Sequence, residues 1–261
     1  MNQEEKRKGK ASRNKIWGIL WRLVLPLSIV LAWEAVCRAG LVNSYAMPSP
    51  EAVVKTAVDS IRDGSLWGHI LASFFRVHEG FMLAAAFGLV LGILMGLSKR
   101  AEHFFEVTVQ ILKPIPPIAW IPLAILWFGI GEQSKLFIII LGAFFPILLN
   151  TISGIHNLDP RYLELAEVYE VSRKRLITRI ILPGAMPEVL TGIRVGLGNA
   201  WVCVVAAEMI AASQGIGYML SNGRSMSRPD IVILGMLLIG IIGKVVDDLL
   251  KLVFSKLIEW T

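Results

Sequence analysis

Apolar positions in this chain do not alternate with polar ones. They gather into runs long enough to cross a bilayer, separated by short polar segments, and a spanning helix needs about 20 predominantly apolar residues. Such runs occupy residues 16–37, 80–97, 104–128, 136–152, 189–212 and 231–246. The pattern predicts an all-α polytopic membrane protein with about six transmembrane helices. Residues 1–15 form a basic tail, and 16–261 form a single transmembrane domain. The opening resembles a signal peptide, but its apolar stretch is long and lacks a small-x-small cleavage pattern, so it reads as a retained span. Between the first two runs, Met47-Pro48-Ser49-Pro50 marks a turn, and a helix is expected from Glu51 to Asp63.

Two runs carry internal detail. In the second, Ala84, Gly88, Gly92 and Gly96 recur at every fourth position, one stripe of a helix. Small residues at that spacing let another helix approach closely in lipid. The third contains Lys113-Pro114-Ile115-Pro116-Pro117-Ile118-Ala119-Trp120-Ile121-Pro122. Each proline removes a backbone donor and crowds the preceding turn. Broken backbone at membrane depth is tolerated only against protein or a wet cavity. Either the helix kinks near the interface, or it lines a translocation path that includes Pro116, Pro117 and Trp120.

Charge sharpens the topology. The chain has 26 Lys+Arg against 20 Asp+Glu, and the basic residues cluster between apolar runs. They fall at Lys6–Lys15, at Lys99 and Arg100, at Arg173, Lys174, Arg175 and Arg179, and at Lys251 and Lys256. That is the positive-inside distribution, which places both termini and the polar segment 153–188 in the cytoplasm. No basic surface interleaved with aromatics is visible, so nucleic acid is not expected as a partner. Cys37 and Cys203 lie in or beside apolar runs without CxxC spacing and read as packing residues.

Candidate chemistry is sparse. His69, His78, His103 and His156 show no metal-binding spacing, and no nucleophile elbow or paired catalytic group is present. Gly235 to Lys244 superficially resembles a phosphate loop, but Ile241 follows Gly240 where Lys is required. The chain has no motif of its own for ATP, no metal site and no bound cofactor. Glu208 is the most deeply placed acid of the fifth run. A carboxylate there faces the bundle interior. It either lines a path together with Met209 or bonds a neighbouring helix.

The segment Tyr162–Pro183 reads as a short amphipathic helix, a turn, and a second helix. Ser172 is placed to cap that second helix and Pro183 to end it. Such a pair is not stable alone and packs on the bundle, on lipid or on another protein. The segment resembles the EAA loop of ATP-binding-cassette importer permeases. Glu164, Ala166, Ile180, Leu182 and Pro183 match it, whereas Leu165 replaces an alanine and Glu170 stands where glycine is usual. Glu167 and Ser172 fall inside the same loop. Resemblance to permeases of the nitrate, sulfonate, taurine and bicarbonate type extends over nearly the whole chain. It includes Trp33-Glu34, Pro48-Ser49-Pro50, Arg76-Val77, Gly131-Glu132 with Ser134-Lys135, Ala207-Glu208-Met209 and Gly215-Ile216-Gly217-Tyr218.

The resemblance implies two permease copies, two cytoplasmic ATPases that hold ATP and Mg, an external solute-binding protein, and surrounding membrane lipid. Glu164, Leu165, Ala166, Glu167, Glu170 and Ser172, with Leu182 and Pro183, would couple to the ATPase and drive alternating access. The solute class it implies is a small organic anion such as an aliphatic sulfonate, taurine or nitrate. A secondary carrier without an ATPase, and a membrane-embedded enzyme, are the rival readings.

Overall fold

A computed structural model describes residues 21, 24–43 and 46–257. The basic tail and the start of the first predicted span, residues 16–20, lie outside the described residues, as does the C-terminal end. Every regular element among the described residues is a helix. Helix α1 covers 24–38. It is followed by α2 (Pro50–Arg62), α3 (Ser65–Leu97), α4 (Lys99–Leu112), a 3-10 turn at Pro117–Trp120, α5 (Ile121–Phe128) and α6 (Glu132–His156). Then come α7 (Pro160–Val168), α8 (Arg173–Leu176), α9 (Leu182–Ala211), α10 (Ile216–Ser225) and α11 (Pro229–Leu257).

The starts of the shorter helices follow from local chemistry. Ser49, Ser98 and Asp159 each precede a helix, and each accepts a hydrogen bond from a first-turn amide, at 3.3 Å from Ala52, 3.4 Å from Ala101 and 3.0 Å from Arg161. Pro50 and Pro160 fill first-turn positions, where a missing N–H costs nothing. Ahead of α3, the backbone amide and the hydroxyl of Ser65 both donate to Asp63, which holds that carboxyl below its ordinary range.

Four helical segments are long and apolar enough to cross a membrane: Ser65–Leu97, Glu132–His156, Arg173–Ala211 and Pro229–Phe254. A fifth candidate is the pair Lys99–Leu112 and Pro117–Phe128, bent by 84° at the proline run. The pattern predicted about six spans; the structure gives four, or five with the bent pair, and α1 represents only part of the first predicted run.

Three predicted boundaries change, each for a physical reason. The second span starts at Ser65 and not near residue 80, because the polar side chains in its first half are satisfied by other helices. The last helix runs on past residue 246 to Leu257, since Lys244 pairs with Asp248 and Lys251 with Asp247 along it, and Arg194 of α9 pairs with Asp247 from across. Pro183 does not end a helix. Residues Ile177–Ile181 adopt π-helical geometry immediately before it, and this wider turn absorbs the missing proline amide. Helix therefore continues without a stop from Arg173 to Ala211.

Close packing centres on α6. On α3, a Cβ placed at Gly80, Gly88, Gly92 or Gly96 would come within 2.6–3.1 Å of Ile139, Ile147, Thr151 or Ile155 respectively. Each four-residue step along one helix meets a four-residue step along the other, so α3 and α6 run parallel with backbones in near contact. Ala84, fully buried, continues the seam. An adjoining face of α6 meets α9 running antiparallel, with Ile147 touching both neighbours: Gly142 faces Cys203, Gly192 faces Asn150, Gly196 faces the Ala143 carbonyl, and Gly154 faces the Ala185 carbonyl. Lipid supplies no hydrophobic drive between helices, so this backbone proximity and its dispersion contacts are what hold the three together.

Candidate functional site

Two features stand out, at opposite ends of α9 and about 40 Å apart by its rise per residue. The first is a buried polar node. Residues 69, 73 and 76 of α3 are spaced at i, i+4 and i+7, so they share one face. That face meets the end of α9 and the start of α10. Glu208 is fully buried there. The Ser73 hydroxyl lies 2.9 and 2.8 Å from its two oxygens, Arg76 donates at 2.8 Å, and the Gly217 backbone amide donates at 2.9 Å. Arg76 also forms a bidentate pair with Glu132 at the start of α6, at 2.6 and 2.9 Å, and donates to the Gln214 carbonyl at 2.6 Å. Lys135, itself buried, reaches Glu132 at 2.7 Å.

The node caps a helix from outside. The first amides of a helix have no intrahelical acceptor. Gly215, the residue preceding α10, offers no side chain to supply one. Tertiary partners do so instead: Gly215 donates to His69 Nδ1 at 3.1 Å, Ile216 to Ser73 Oγ at 2.8 Å, and Gly217 to Glu208. Gly215 adopts φ 133°, a region nearly closed to other residues, and a Cβ there would stand 2.3 Å from the Glu208 carboxyl carbon. Desolvating Glu208 and Arg76 would be costly if either were alone. Each is paired and fully hydrogen-bonded, so the node ties α3, α6, α9 and α10 into one unit.

The second feature is the α7–α8 loop. Helix α7 ends in a Schellman motif: the Glu170 amide donates to the Glu167 carbonyl at 3.0 Å, and the Val171 amide to the Ala166 carbonyl at 2.9 Å. Glu170 occupies the left-handed position, φ 50°, that glycine normally fills. The predicted glycine position therefore keeps glycine-like geometry with a glutamate in it. Ala166 is buried, whereas Tyr162, Leu163, Leu165, Val168 and Tyr169 are exposed, the last two at 77%.

Glu164 and Glu167 are also exposed, and among the described residues Glu164 makes no ion pair with Arg173 or Arg175. Ser172 stands in extended backbone just before α8, and its carbonyl accepts the Leu176 amide at 3.0 Å, but its side chain makes no capping bond. Leu182 and Pro183 lie at the junction of the π-helical turn and α9.

The other sequence-derived positions scatter. Pro116 and Pro117 form the bend of the broken span. Trp120 packs edge-on against Phe137 of α6, ring centres 6.3 Å apart. Met209 is exposed and turned from the node that holds its neighbour Glu208. Sequence reasoning did not assign Ser73 or His69 a role; their shared face with Arg76 inside an otherwise apolar helix was the available signal. Among the described residues no cluster of metal-ligating side chains occurs, and both cysteines are free.

Residues 88–258, covering the stripe from Gly88 onward, the bend, the loop and the second half of the node, match the family described as binding-protein-dependent transport system inner membrane component. This chain belongs to that family. Among its relatives, the aliphatic sulfonates transport permease protein SsuC of Bacillus subtilis (strain 168) is 39% identical over 96% of this chain and 91% of its own length. The taurine transport system permease protein TauC of Escherichia coli (strain K12) is 33% identical over 89% of this chain and 86% of its own. The fold is that of a solved chain from the MetNI methionine ABC transporter in inward-facing conformations. The two share 16% identity with a TM-score of 0.53, over 69% of this chain and 93% of that one. The family member described here is accordingly a multi-pass permease subunit of an ATP-binding-cassette importer, which works with an ATPase and a solute-binding protein.

Proposed function

We propose that this permease carries a small organic anion, such as an aliphatic sulfonate, taurine or nitrate, and that its α7–α8 loop is the element on which the ATPase acts. In this reading two copies of the chain form one importer, both termini lie on the ATPase side, and the partner ATPases hold ATP and Mg. The names of the relatives support the solute class. The observation that carries the coupling role is the exposed apolar surface of α7. Tyr162, Leu163, Leu165, Val168 and Tyr169 face outward on a nine-residue helix that lies between spans and not within one. An apolar patch rimmed by charge outside the hydrocarbon marks a protein partner. The Schellman turn at Glu170 fixes the angle at which α7 meets the long helix of α8 and α9, so a push on α7 is delivered to that helix as a rigid lever.

The bend at Pro116 and Pro117, with Trp120, is proposed to border the path together with Met209. Glu208 is assigned instead to holding α10, because its charge is already balanced by Arg76 and its oxygens are occupied. The test is Leu165→Asp beside Glu164→Lys, each expressed at confirmed membrane levels. Leu165→Asp should lose ATPase co-purification and ATP-dependent uptake while the chain stays inserted; Glu164→Lys should lose uptake. Normal uptake with a normally retained ATPase in both variants would remove the loop from the coupling path.

A further inference from the structure

Midway along the two helices, α9 and α11 part to leave a slot of about 320 Å³. On α9 it is lined by Arg194, Gly198 and Trp201, which are spaced at i, i+4 and i+7 and so share a face. On α11 it is lined from Ile239 to Leu250, a length of about 16 Å at the helical rise. Its mouth is charged. Arg194 forms an ion pair with Asp247, Lys251 reaches the same carboxylate at 2.8 Å, and Lys244 pairs with Asp248. Three cations face two anions, so the mouth carries one net positive charge. The rest of the lining is apolar: Leu197, Val202, Ile239 and Val246, with the buried Trp201 among them. The indole N–H of Trp201 is the one enclosed side-chain donor or acceptor without a partner among the described residues.

Three glycines keep the slot open. Around Gly198, Gly240 and Gly243, an added Cβ would meet nothing within 4 Å, in contrast to the crowded glycines of the α3–α6 seam. Small residues are needed on the seam because backbones touch there; here they border empty volume. Charged side chains on membrane helices lining a cavity are found where a solute or ion passes. A cationic rim beside an apolar wall suits an organic ion that carries both a charged head and an apolar body.

We infer that the slot between α9 and α11 is a solute site of the permease itself, which takes a small organic anion with its head at Arg194 and Lys244 and its apolar body against Leu197, Ile239 and Trp201. The assignment rests on the importer reading above and adds to it a contact point in the membrane subunit, separate from selection by the binding protein. A slight turn of the Trp201 ring would offer its unpaired N–H to an acceptor on the solute's inner end.

The probe is hexanesulfonate, ten non-hydrogen atoms, titrated onto the permease purified with its ATPase in phosphatidylcholine nanodiscs. Hexanol and inorganic sulfate, each with half of the required chemistry, serve as competitors. Saturable binding is expected, with neither competitor displacing the probe at equal concentration. Gly243→Leu should fill the slot and weaken binding at least tenfold without disturbing the fold. Lys244→Gln should weaken it severalfold, and Trp127→Phe, remote from the slot, should leave it unchanged. The inference is overturned if the probe does not bind, if Gly243→Leu binds it as the parent does, or if hexanol displaces it equally well. A phospholipid retained by the parent and lost from Gly243→Leu, seen by native mass spectrometry, would also overturn it, by assigning the slot to lipid. Loss of ATP-dependent uptake of any anion would instead strike the importer reading, so the two failures are distinguishable.

Discussion

Replacing Glu208 by leucine conserves approximate volume and removes both of its carboxylate oxygens from the node. The Ser73 hydroxyl and the Gly217 amide then point into apolar surroundings without their acceptor. Each buried group left unpaired costs about 1–3 kcal/mol. Arg76 is not stranded, since Glu132 and the Gln214 carbonyl still hold it. The two unpaired groups together cost about 2–6 kcal/mol, a range that spans the cost of breaking a buried pair from one side. Glu208→Gln keeps the shape and one acceptor but turns amide hydrogens toward existing donors, and should cost about 1.5–3 kcal/mol. Thermal unfolding of the purified chain in detergent, followed by monodispersity, should rank parent above Gln above Leu. Protease cleavage at 212–215 should rise in the same order, because those residues precede the helix the node caps. If Glu208→Leu unfolded at the parent temperature with its 212–215 segment still protected, the node would hold nothing together and the reasoning would fail.

Two further outcomes follow from the packing and the loop. Gly92→Val places a Cβ 2.7 Å from Thr151 and 3.1 Å from the Leu148 carbonyl, and should cost about 1–3 kcal/mol in thermal stability; Gly240→Ala, in open space, should be nearly neutral in the same measurement. Glu170→Gly relieves a left-handed glutamate and should stabilise the α7 terminus by about 1 kcal/mol, read by slower hydrogen exchange at Val171, and faster exchange there would contradict the strain argument.

Much of the fold was legible because a bilayer imposes a one-dimensional constraint. Runs of apolar residues must become helices there, and the stripe of Ala84, Gly88, Gly92 and Gly96 identifies one helix face without reference to any partner. The α7–α8 loop was legible too, since its composition is polar where its neighbours are not. Helix ends were harder. Pro183 reads locally as a stop, yet a π-helical turn one residue earlier lets the helix continue. Arg76 and His69 read as lying outside the membrane helix, yet they belong to it.

The sequence by itself determined the helical class, the approximate spans, the small-residue stripe and the positions of the charged clusters, because each depends on residues within a few turns of one another; the left-handed turn at Glu170 came from the structure. Only the tertiary structure decided that α6 receives α3 in parallel and α9 antiparallel, that Glu208, Ser73 and His69 cap a helix lying outside their own, and that the open glycines of α9 and α11 border a slot. These depend on which faces meet across tens of residues of chain, and for Ser73 and His69 across more than a hundred. Burial then turns single polar side chains, individually costly in an apolar medium, into one satisfied network.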